Sequence, residues 1–258
     1  MSDRAEQSIA DSLEIDKHLL PYMPFLLKDL WALGSSVDSI IDIVGSLPLP
    51  CHHTQVLDVG CGKGAIAIQI ASQYGFKTIG IDAMTAFLDE AREKAQEYGV
   101  SHLCEFIRQD IEEYVSAHHE FDLVILASLG GIFGSFKNTI ATLRTQVRSG
   151  GYIIIDDGYL QKRDSLNRKG YEHYKNHEDT ITELTAFNDL LLKEISTTEL
   201  SLKINDKYIH IIEKRGNELI AEHPELERDI NTYIQRQIEE CDVIKEYLEG
   251  ALWVLQKC

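Results

Sequence analysis

The sequence has few cysteines and no long apolar run. Its 258 residues include five cysteines, an odd number, and no two of them form a C-x-x-C pair. This scatter argues against a disulfide framework and against a structural zinc site. No stretch of eighteen apolar residues is present, and Met1–Lys17 is too polar for the apolar part of a secretory signal. We therefore expect a soluble chain in the reducing cytoplasm, without membrane contact and without a bound metal.

Positive charge is also scarce. Asp and Glu number 42 against 25 Lys and Arg, which gives a formal charge of −17 at pH 7. A surface of this sign repels polyanions, so we predict a small-molecule substrate and no nucleic-acid partner. The sequence also lacks G-x-S-x-G, a P-loop and H-E-x-x-H. None of the three chemistries that depend on these motifs is expected.

The most informative stretch is Gln55–Gly64, where a short apolar strand runs into three glycines and then into the helical pattern of Ala65–Ala71. Glycine permits backbone angles that other residues avoid and leaves no Cβ against a ligand. The turn would bring that ligand to a helix N-terminus, where free N–H groups favour an anionic or polar group. The glycine spacing fits both a dinucleotide fingerprint and D-x-G-x-G-x-G, so the glycines alone leave the ligand open.

Asp58 separates the two possibilities. A carboxylate two residues before the first glycine would repel a diphosphate, whereas a ligand with a cationic amino group would be attracted. With the elements that follow, Asp58–Gly64 resembles motif I of the class I S-adenosylmethionine-dependent methyltransferases. The resemblance implies that Asp58 helps to hold the methionine end of the cofactor and that the turn passes beneath it. The turn residues assigned to the cofactor are Gly60, Cys61, Gly62 and Gly64.

Two further carboxylates stand at strand ends. Phe76–Asp82 predicts a second strand, and Asp82 can accept hydrogen bonds from both hydroxyls of a ribose, which a dinucleotide site would also need. Leu103–Arg108 predicts a third strand. The resemblance places Asp110 at the adenine amino group and Ile111 against the ring, although Asp110 could instead cap a helix. The cofactor prediction also includes Ala83, Met84, Ala127 and Ser128.

The order of elements continues the resemblance through Asp157. Phe121–Ala127 predicts a fourth strand, Phe136–Val147 a helix and Tyr152–Asp157 a fifth strand. The resemblance implies an α/β fold of the Rossmann-like methyltransferase class. This fold is a three-layer sandwich with a seven-stranded, mainly parallel sheet.

Helices are predicted on both sides of this unit. Residues 1–50 would form a helical extension or lid, and residues 51–258 the cofactor-binding domain. Within the extension we predict helices over Asp11–Leu20, from Pro24 through Trp31, and from Ser36 to near Gly45. A highly charged helical insertion at about 207–249 would cover the site or mediate a homodimer, and composition leaves monomer and dimer equally open. Near it we predict a helix over Ile181–Ile195, a strand over Ser196–Ile204 and a last strand over Gly250–Lys257.

Methyl transfer needs few catalytic side chains, because the sulfonium already carries the leaving group. Alignment of the acceptor with the methyl group can by itself lower the activation barrier by roughly 7–11 kcal/mol. A general base is needed only where the acceptor loses a proton. Asp156 and Asp157 should point to opposite faces of their strand, so at most one faces the acceptor. The basic stretch Gln161–Lys169 predicts an anionic group on the substrate, with an exposed solubilising loop as the alternative. The candidates for catalysis are Asp157, Tyr159, Tyr171 and His173.

Two other activities stay open. Tyr171–Lys175 contains the Y-x-x-x-K pair of short-chain dehydrogenases, but Gly158 stands roughly where their serine would fall. An NAD(P)-dependent oxidoreductase is therefore the first alternative. A cofactor-binding protein without transferase activity is the second. His173 and His177 could share a metal with a nearby carboxylate, but histidines at this spacing in a polar segment are usually not ligands.

Overall fold

Short apolar strands alternate with amphipathic helices along most of the chain. The computed structural model describes residues 7, 9–10, 13–50, 53–162, 166 and 168–258. The strands of these residues are β1 (Gln55–Val59), β2 (Lys77–Asp82), β3 (Cys104–Arg108), β4 (Phe121–Ala127), β5 (Val147–Leu160), β6 (Leu190–Ser196) and β7 (Leu248–Gln256). The helices are α1 (Met23–Leu26), α2 (Val37–Ser46), α3 (Ala65–Tyr74), α4 (Thr85–Glu97), α5 (Ile111–Val115), α6 (Phe136–Leu143), α7 (His177–Leu184), α8 (Thr198–Glu222) and α9 (Glu227–Tyr247), with 3₁₀ turns at Lys17–Tyr22 and Pro224–Leu226.

The strands form one sheet of seven, in the order β3-β2-β1-β4-β5-β7-β6. Neighbouring strands are parallel except around β7, which is antiparallel to both β5 and β6. Central strands such as β4 are covered on both faces, so they consist almost wholly of buried apolar residues. The predicted seven-stranded, mainly parallel sheet of the methyltransferase class is confirmed.

Two apolar layers hold helices to the two faces of the sheet. On one face, α2 and α3 pack against Val56, Ile125 and Ile154. On the other face, α6 and α7 pack against Leu57 and Trp253. Alternate residues of each strand supply the two layers, since successive side chains point to opposite faces. The result is the three-layer sandwich expected from the sequence.

Element bounds differ from the sequence prediction after β5. The predicted helix Ile181–Ile195 is wrong, because α7 ends at Leu184 and β6 then occupies Leu190–Ser196. The predicted strand Ser196–Ile204 is wrong as well, since most of it lies in α8. β6 is an edge strand whose side chains are largely exposed, so it lacks the alternation of a half-buried strand. Its pairing partner is β7, about 60 residues away, and a local pattern contains no information about that contact.

Smaller differences occur elsewhere. The helix predicted to begin near Pro24 and run through Trp31 ends at Leu26, and the helix predicted over Phe136–Val147 ends at Leu143. Val147 instead begins β5. Of the helix predicted over Asp11–Leu20, the first two residues lie outside the described ranges. The described remainder forms a turn and part of a 3₁₀ helix.

The N-terminal residues and the α8–α9 hairpin pack on each other. Leu19, Met23 and Leu26 contact a cluster that includes Ile212 of α8 and Tyr233 of α9. This apolar cluster is separate from the two layers on the sheet. In the part of the chain that the structure describes, no helix is both long and apolar enough to cross a membrane.

The contact between α8 and α9 predicts the effect of a substitution at Gly216. A Cβ at this position would lie 2.7 Å from Ile234 and 3.0 Å from Ile230, which is too close for either side chain to stay in place. We expect Gly216→Val to lower the free energy of unfolding by about 1–3 kcal/mol through overpacking. Urea unfolding followed by circular dichroism measures the change. Asn217→Val, at an exposed position of the same helix, is the matched control, and equal losses in both variants would contradict the packing argument.

Candidate active site

The turn after β1 presents main chain rather than side chains. The angle φ is +72° at Gly60, +51° at Gly62 and +72° at Gly64, and α3 begins at the next residue. Residues with a Cβ rarely adopt these angles, so glycine fixes the path of the turn. A side chain at position 64 would also meet the Phe106 ring at 2.9 Å. At each of these glycines a side chain from another part of the chain fills the space that a Cβ would take, so glycine allows close packing on the turn.

Asp58 lies at the base of this turn with almost no exposure. Its Oδ2 atom is buried and has no hydrogen-bond partner among the described residues. Burial raises the pKa of Asp58 to about 7, the charge of Asp82 adds to the rise, and a hydrogen bond from the Ala67 main chain opposes it. A buried carboxylate oxygen without a partner is costly unless a cation or donor reaches it. The site therefore fits a ligand that brings a positive or hydrogen-bond-donating group to this point.

Asp82 holds the end of β2 to the turn. Its carboxylate accepts hydrogen bonds from the Gly62 N–H at 2.9 Å and the Met84 N–H at 2.8 Å. Burial raises the pKa of Asp82, and hydrogen bonds from the main chain of Met84, Gly62 and Ala83 partly oppose the rise. Cys61 adds a second link, since its N–H donates to the Ile81 carbonyl at 2.9 Å. The Cys61 thiol itself is buried.

The ends of β3 and β4 complete this edge. Asp110 follows β3, and its side chain accepts a hydrogen bond from the Glu113 N–H, which confirms the N-cap role at α5. Contact of Asp110 and Ile111 with an adenine stays a prediction. Ala127 is buried at the end of β4, and Ser128 follows it with φ of +55°, an unusual angle for serine. All predicted cofactor residues thus lie at or just beyond the carboxyl ends of parallel strands, where ligands bind in open α/β sheets.

Two leucines that the sequence analysis missed lie on the glycine turn. The side chain of Leu129 contacts Gly60, and the side chain of Leu33 lies 3.1 Å from the point where a Cβ on Gly62 would be. Leu129 belongs to the loop after β4. Leu33 belongs to residues 27–36, here called the N-terminal strap. Apolar residues in loops carry no sequence signal that distinguishes a site wall from core packing.

Asp157 and His173 lie together at the end of β5. Asp157 accepts hydrogen bonds from the Tyr174 hydroxyl at 2.7 Å and the Gly158 N–H at 2.9 Å. Its other oxygen is 3.9 Å from His173 Nε2, a buried atom with no hydrogen-bond partner in the described part of the chain. Burial raises the pKa of Asp157 to about 7 and lowers the pKa of His173 to about 4. His173 is therefore neutral at pH 7 and has a free acceptor nitrogen beside Asp157.

The other two candidates for catalysis lie apart from this pair. The Tyr171 hydroxyl donates to Glu240 of α9 at 2.5 Å, and the Tyr159 ring packs 4.8 Å from His177. Asp156 faces the opposite side of β5, as expected for successive strand residues. There it accepts a hydrogen bond from the Ser36 N–H of the N-terminal strap at 2.6 Å. Tyr174, which the sequence analysis did not select, is the nearer partner of Asp157.

The basic stretch Gln161–Lys169 is only partly described, because Arg163, Asp164, Ser165 and Asn167 lie outside the described residues. One guanidinium nitrogen of Arg168 donates to both carboxylate oxygens of Glu14, at 2.9 and 3.1 Å. Its charge is therefore compensated within the protein. Lys162 and Lys169 are exposed. The predicted anionic substrate group would have to bind these lysines or Arg163.

Metal binding has no support in the described ranges. No group of three His, Cys, Asp or Glu side chains there has the arrangement of a metal site. His177 instead pairs with Glu194 at 2.8 Å. The described cysteines are Cys61, Cys104, Cys241 and Cys258, and all four are free.

Comparison with known proteins identifies the family. The sequence profile of a methyltransferase domain family matches residues 51–217. The chain belongs to this methyltransferase family. Its fold is shared with the S-adenosylmethionine-dependent methyltransferase from Geobacter sulfurreducens, solved in complex with S-adenosyl-L-homocysteine. The TM-score is 0.78 at 18% identity, with 92% of this chain and 97% of that chain covered.

Curated relatives match this methyltransferase over part of their length. The uncharacterized protein YjhP of Escherichia coli strain K12 is 31% identical over 109 residues, which are 42% of this chain and 44% of YjhP. The U6 snRNA methylphosphate capping enzyme Amus of Drosophila melanogaster is 26% identical over 191 residues, 64% of this chain and 62% of Amus. The ubiquinone biosynthesis O-methyltransferase of Rickettsia akari is 32% identical over 101 residues, 39% of either chain. The chain thus spans less than two thirds of the length of each.

The raised pKa of Asp157 predicts how this methyltransferase responds to pH. The folded carboxyl binds its proton more tightly than the unfolded one, whose pKa is 3.8, so stability is lost as pH rises from about 4 to about 7. Asp157→Asn removes this loss. We expect the stability of the variant relative to wild type to be greater at pH 8 than at pH 5 by about 3 kcal/mol, because each of the two pH units between 5 and the raised pKa counts about 1.4 kcal/mol. Urea unfolding at both pH values measures it.

Taking the difference from wild type at each pH cancels the effects of other buried groups. Ionisation of Asp58 and of Asp156 also lowers the stability of the folded protein as pH rises. His173, whose pKa is lowered, has the opposite effect and raises that stability between about pH 4 and 6.5. Asp89→Asn, which removes an exposed carboxylate on α4, is the matched control. A difference for Asp157→Asn that does not change with pH would contradict the assignment.

Proposed function

We propose that this methyltransferase binds S-adenosylmethionine at the carboxyl edge of β1, β2 and β4 and transfers its methyl group to a small-molecule acceptor. One observation carries the proposal. The glycine turn, the partnerless Asp58 oxygen and the Asp82 carboxylate lie within one edge of the sheet, in a chain of the methyltransferase family. The amino group of the cofactor would place a positive charge beside the buried Asp58 carboxylate, whose Oδ2 atom has no partner among the described residues.

Each part of the edge would hold a different part of the cofactor. Asp58 and the turn would hold its methionine end, Asp82 the ribose hydroxyls, and Asp110 with Ile111 the adenine. Asp82 already accepts hydrogen bonds from main-chain amides, so its carboxylate is fixed in orientation before a ribose arrives. When bound, the cofactor would supply an electrophilic methyl group on a sulfonium. Ala127 and Ser128 would line the space between cofactor and acceptor.

Asp157 and His173 would act on the acceptor side. At neutral pH His173 is uncharged, and its Nε2 atom can accept a proton. The hydroxyl of Tyr174 fixes the orientation of Asp157, whose charge would stabilise a protonated His173 across 3.9 Å. An acceptor that attacks through an O–H or N–H group would lose its proton to this pair. Tyr159 and Tyr171 have other partners, so we assign them packing roles.

Charge supports a small acceptor. The formal charge of −17 opposes a polyanion, and Arg168 beside the acceptor side is paired with Glu14. Residues 1–50 would act as a lid on a domain formed by residues 51–258, because the strap contacts both the glycine turn and β5. The oxidoreductase alternative rests on the glycine spacing, on Asp82 and on the Y-x-x-x-K pair. In the structure the two members of that pair have other partners, since Tyr171 bonds to Glu240 and Lys175 to Glu183. A cytoplasmic location and a homodimer stay predictions.

Binding of S-adenosyl-L-homocysteine tests the cofactor site. We expect Kd in the micromolar range for wild type and a loss of about tenfold or more for Asp82→Ala, since a charged hydrogen bond contributes roughly 1.5–3 kcal/mol. Isothermal titration calorimetry measures both. Glu93→Ala, an exposed carboxylate on α4, is the matched control and should bind like wild type. Binding of NADH in place of the homocysteine adduct would overturn the proposal in favour of the oxidoreductase.

Transfer of a labelled methyl group tests the acceptor class. The enzyme is incubated with methyl-labelled S-adenosylmethionine and with separate small-molecule and RNA fractions of a cell extract. We expect label in the small-molecule fraction and about 10²-fold or slower labelling by Asp157→Asn, the usual effect of losing a general base. Label in RNA would refute the small-molecule acceptor. Cofactor binding without transfer to either fraction would favour the non-catalytic binding protein.

A further inference from the structure

Lys63, inside the glycine turn, is buried to an unusual degree. Its side chain is 1% exposed, although lysine is rarely buried without a partner. The Nζ atom donates to the Leu27 carbonyl at 2.8 Å and pairs with Glu90 of α4 at 2.8 Å. It also lies 5.6 Å above the Phe87 ring. The ammonium is thus fully compensated by groups from two different parts of the chain.

The N-terminal strap holds Lys63 a second time through the main chain. The Trp31 indole N–H donates to the Lys63 carbonyl at 3.0 Å. Leu27, which accepts from the ammonium, belongs to the same strap. One residue of the glycine turn is therefore bonded to the strap at both its side chain and its backbone.

From Lys63 the strap continues across the ligand edge. Leu33 lies against Gly62, and Gly34 lies against the Ser128 side chain. Beyond them the Ser36 N–H donates to Asp156 on β5 at 2.6 Å. The strap thus runs from the glycine turn to β5 and is hydrogen-bonded to both. Leu33 packs directly on Gly62, so a ligand that binds on this turn would lie beside the strap.

The two partners of Lys63 differ in how they would respond if the strap moved. Glu90 lies on α4, which packs on the sheet, and about one third of its side chain is exposed. It would stay beside the ammonium when the strap lifts. The Leu27 carbonyl would leave with the strap, and water would replace it. The Lys63 ammonium would therefore stay in place beside Glu90, and the strap would dock on it again through the Leu27 carbonyl.

We infer that Lys63 is a positioning residue, whose ammonium docks the N-terminal strap on the glycine turn and so controls how fast the cofactor enters and leaves. The inference rests on the proposed cofactor site and deepens it. Lys63 acts through the strap, and the structure gives it no direct role in chemistry.

Lys63→Met tests the inference, because methionine keeps the length of the side chain and removes the donor. We expect the dissociation rate of S-adenosyl-L-homocysteine, measured by surface plasmon resonance, to rise by about tenfold or more, which corresponds to one charged hydrogen bond. Lys94→Met, an exposed lysine on α4, is the matched control and should dissociate like wild type. Glu90→Gln is a second variant that keeps the ammonium, and we expect a smaller rise in the same direction.

Tryptophan fluorescence provides a readout that needs no ligand. The chain has two tryptophans, Trp31 in the strap and Trp253, which is fully buried in the core. Quenching by acrylamide therefore reports mainly on Trp31. Docking by Lys63 predicts stronger quenching in Lys63→Met than in Lys94→Met at equal folded fraction. Unchanged quenching together with an unchanged dissociation rate would overturn the inference, and a lower melting temperature alone would assign Lys63 a structural role only.

The two readouts separate this inference from the proposed function. If wild type fails to bind S-adenosyl-L-homocysteine, the proposed cofactor site is wrong, whatever the quenching shows. If wild type binds and quenching and dissociation are the same in Lys63→Met and wild type, only the role of Lys63 is wrong.

Discussion

The parallel register of the central strands is the constraint on which the site depends. Val59 at the end of β1 pairs with Ile81 of β2 and with Leu126 of β4, and Ala127 pairs with Asp156 of β5. Helices cover both faces of these strands, so polar groups can stand only at their ends. Because parallel strands end at the same edge, residues from four separate parts of the sequence meet there. The active site is a consequence of how the sheet is paired.

The edge concentrates carboxylates in a chain that is already strongly acidic. Asp58, Asp156 and Asp157 are almost fully buried, and burial raises the pKa of each. Such groups oppose folding at neutral pH, since their ionised forms are better solvated in the unfolded chain. The stability of the fold therefore does not explain why these three carboxylates are buried there. Perturbed carboxylates gathered at one edge are therefore more consistent with a ligand-binding role than with a structural one.

Local sequence patterns predicted the part of this edge that is formed by β1, the glycine turn and β2, where we propose that the cofactor binds. The strand, glycine turn and helix around Asp58 are contiguous in sequence, and the second strand with Asp82 follows about twenty residues later. Each element can therefore be inferred from its own residues. The contacts of Lys63 could not be, because its partner carbonyl on Leu27 is 36 residues away and a carbonyl has no sequence signature. The same reason explains the wrong prediction of β6, whose identity depends on a distant partner strand.

The family match covers residues 51–217. The N-terminal strap precedes it and α9 follows it. These two parts pack on each other through the cluster around Met23 and Tyr233, and they supply Ser36 as a partner of Asp156 and Glu240 as a partner of Tyr171. A shared fold can carry different functions, so the sheet alone does not determine what the chain acts on. If the proposed methyl transfer is correct, we expect the strap and α9, rather than the sheet, to select the acceptor.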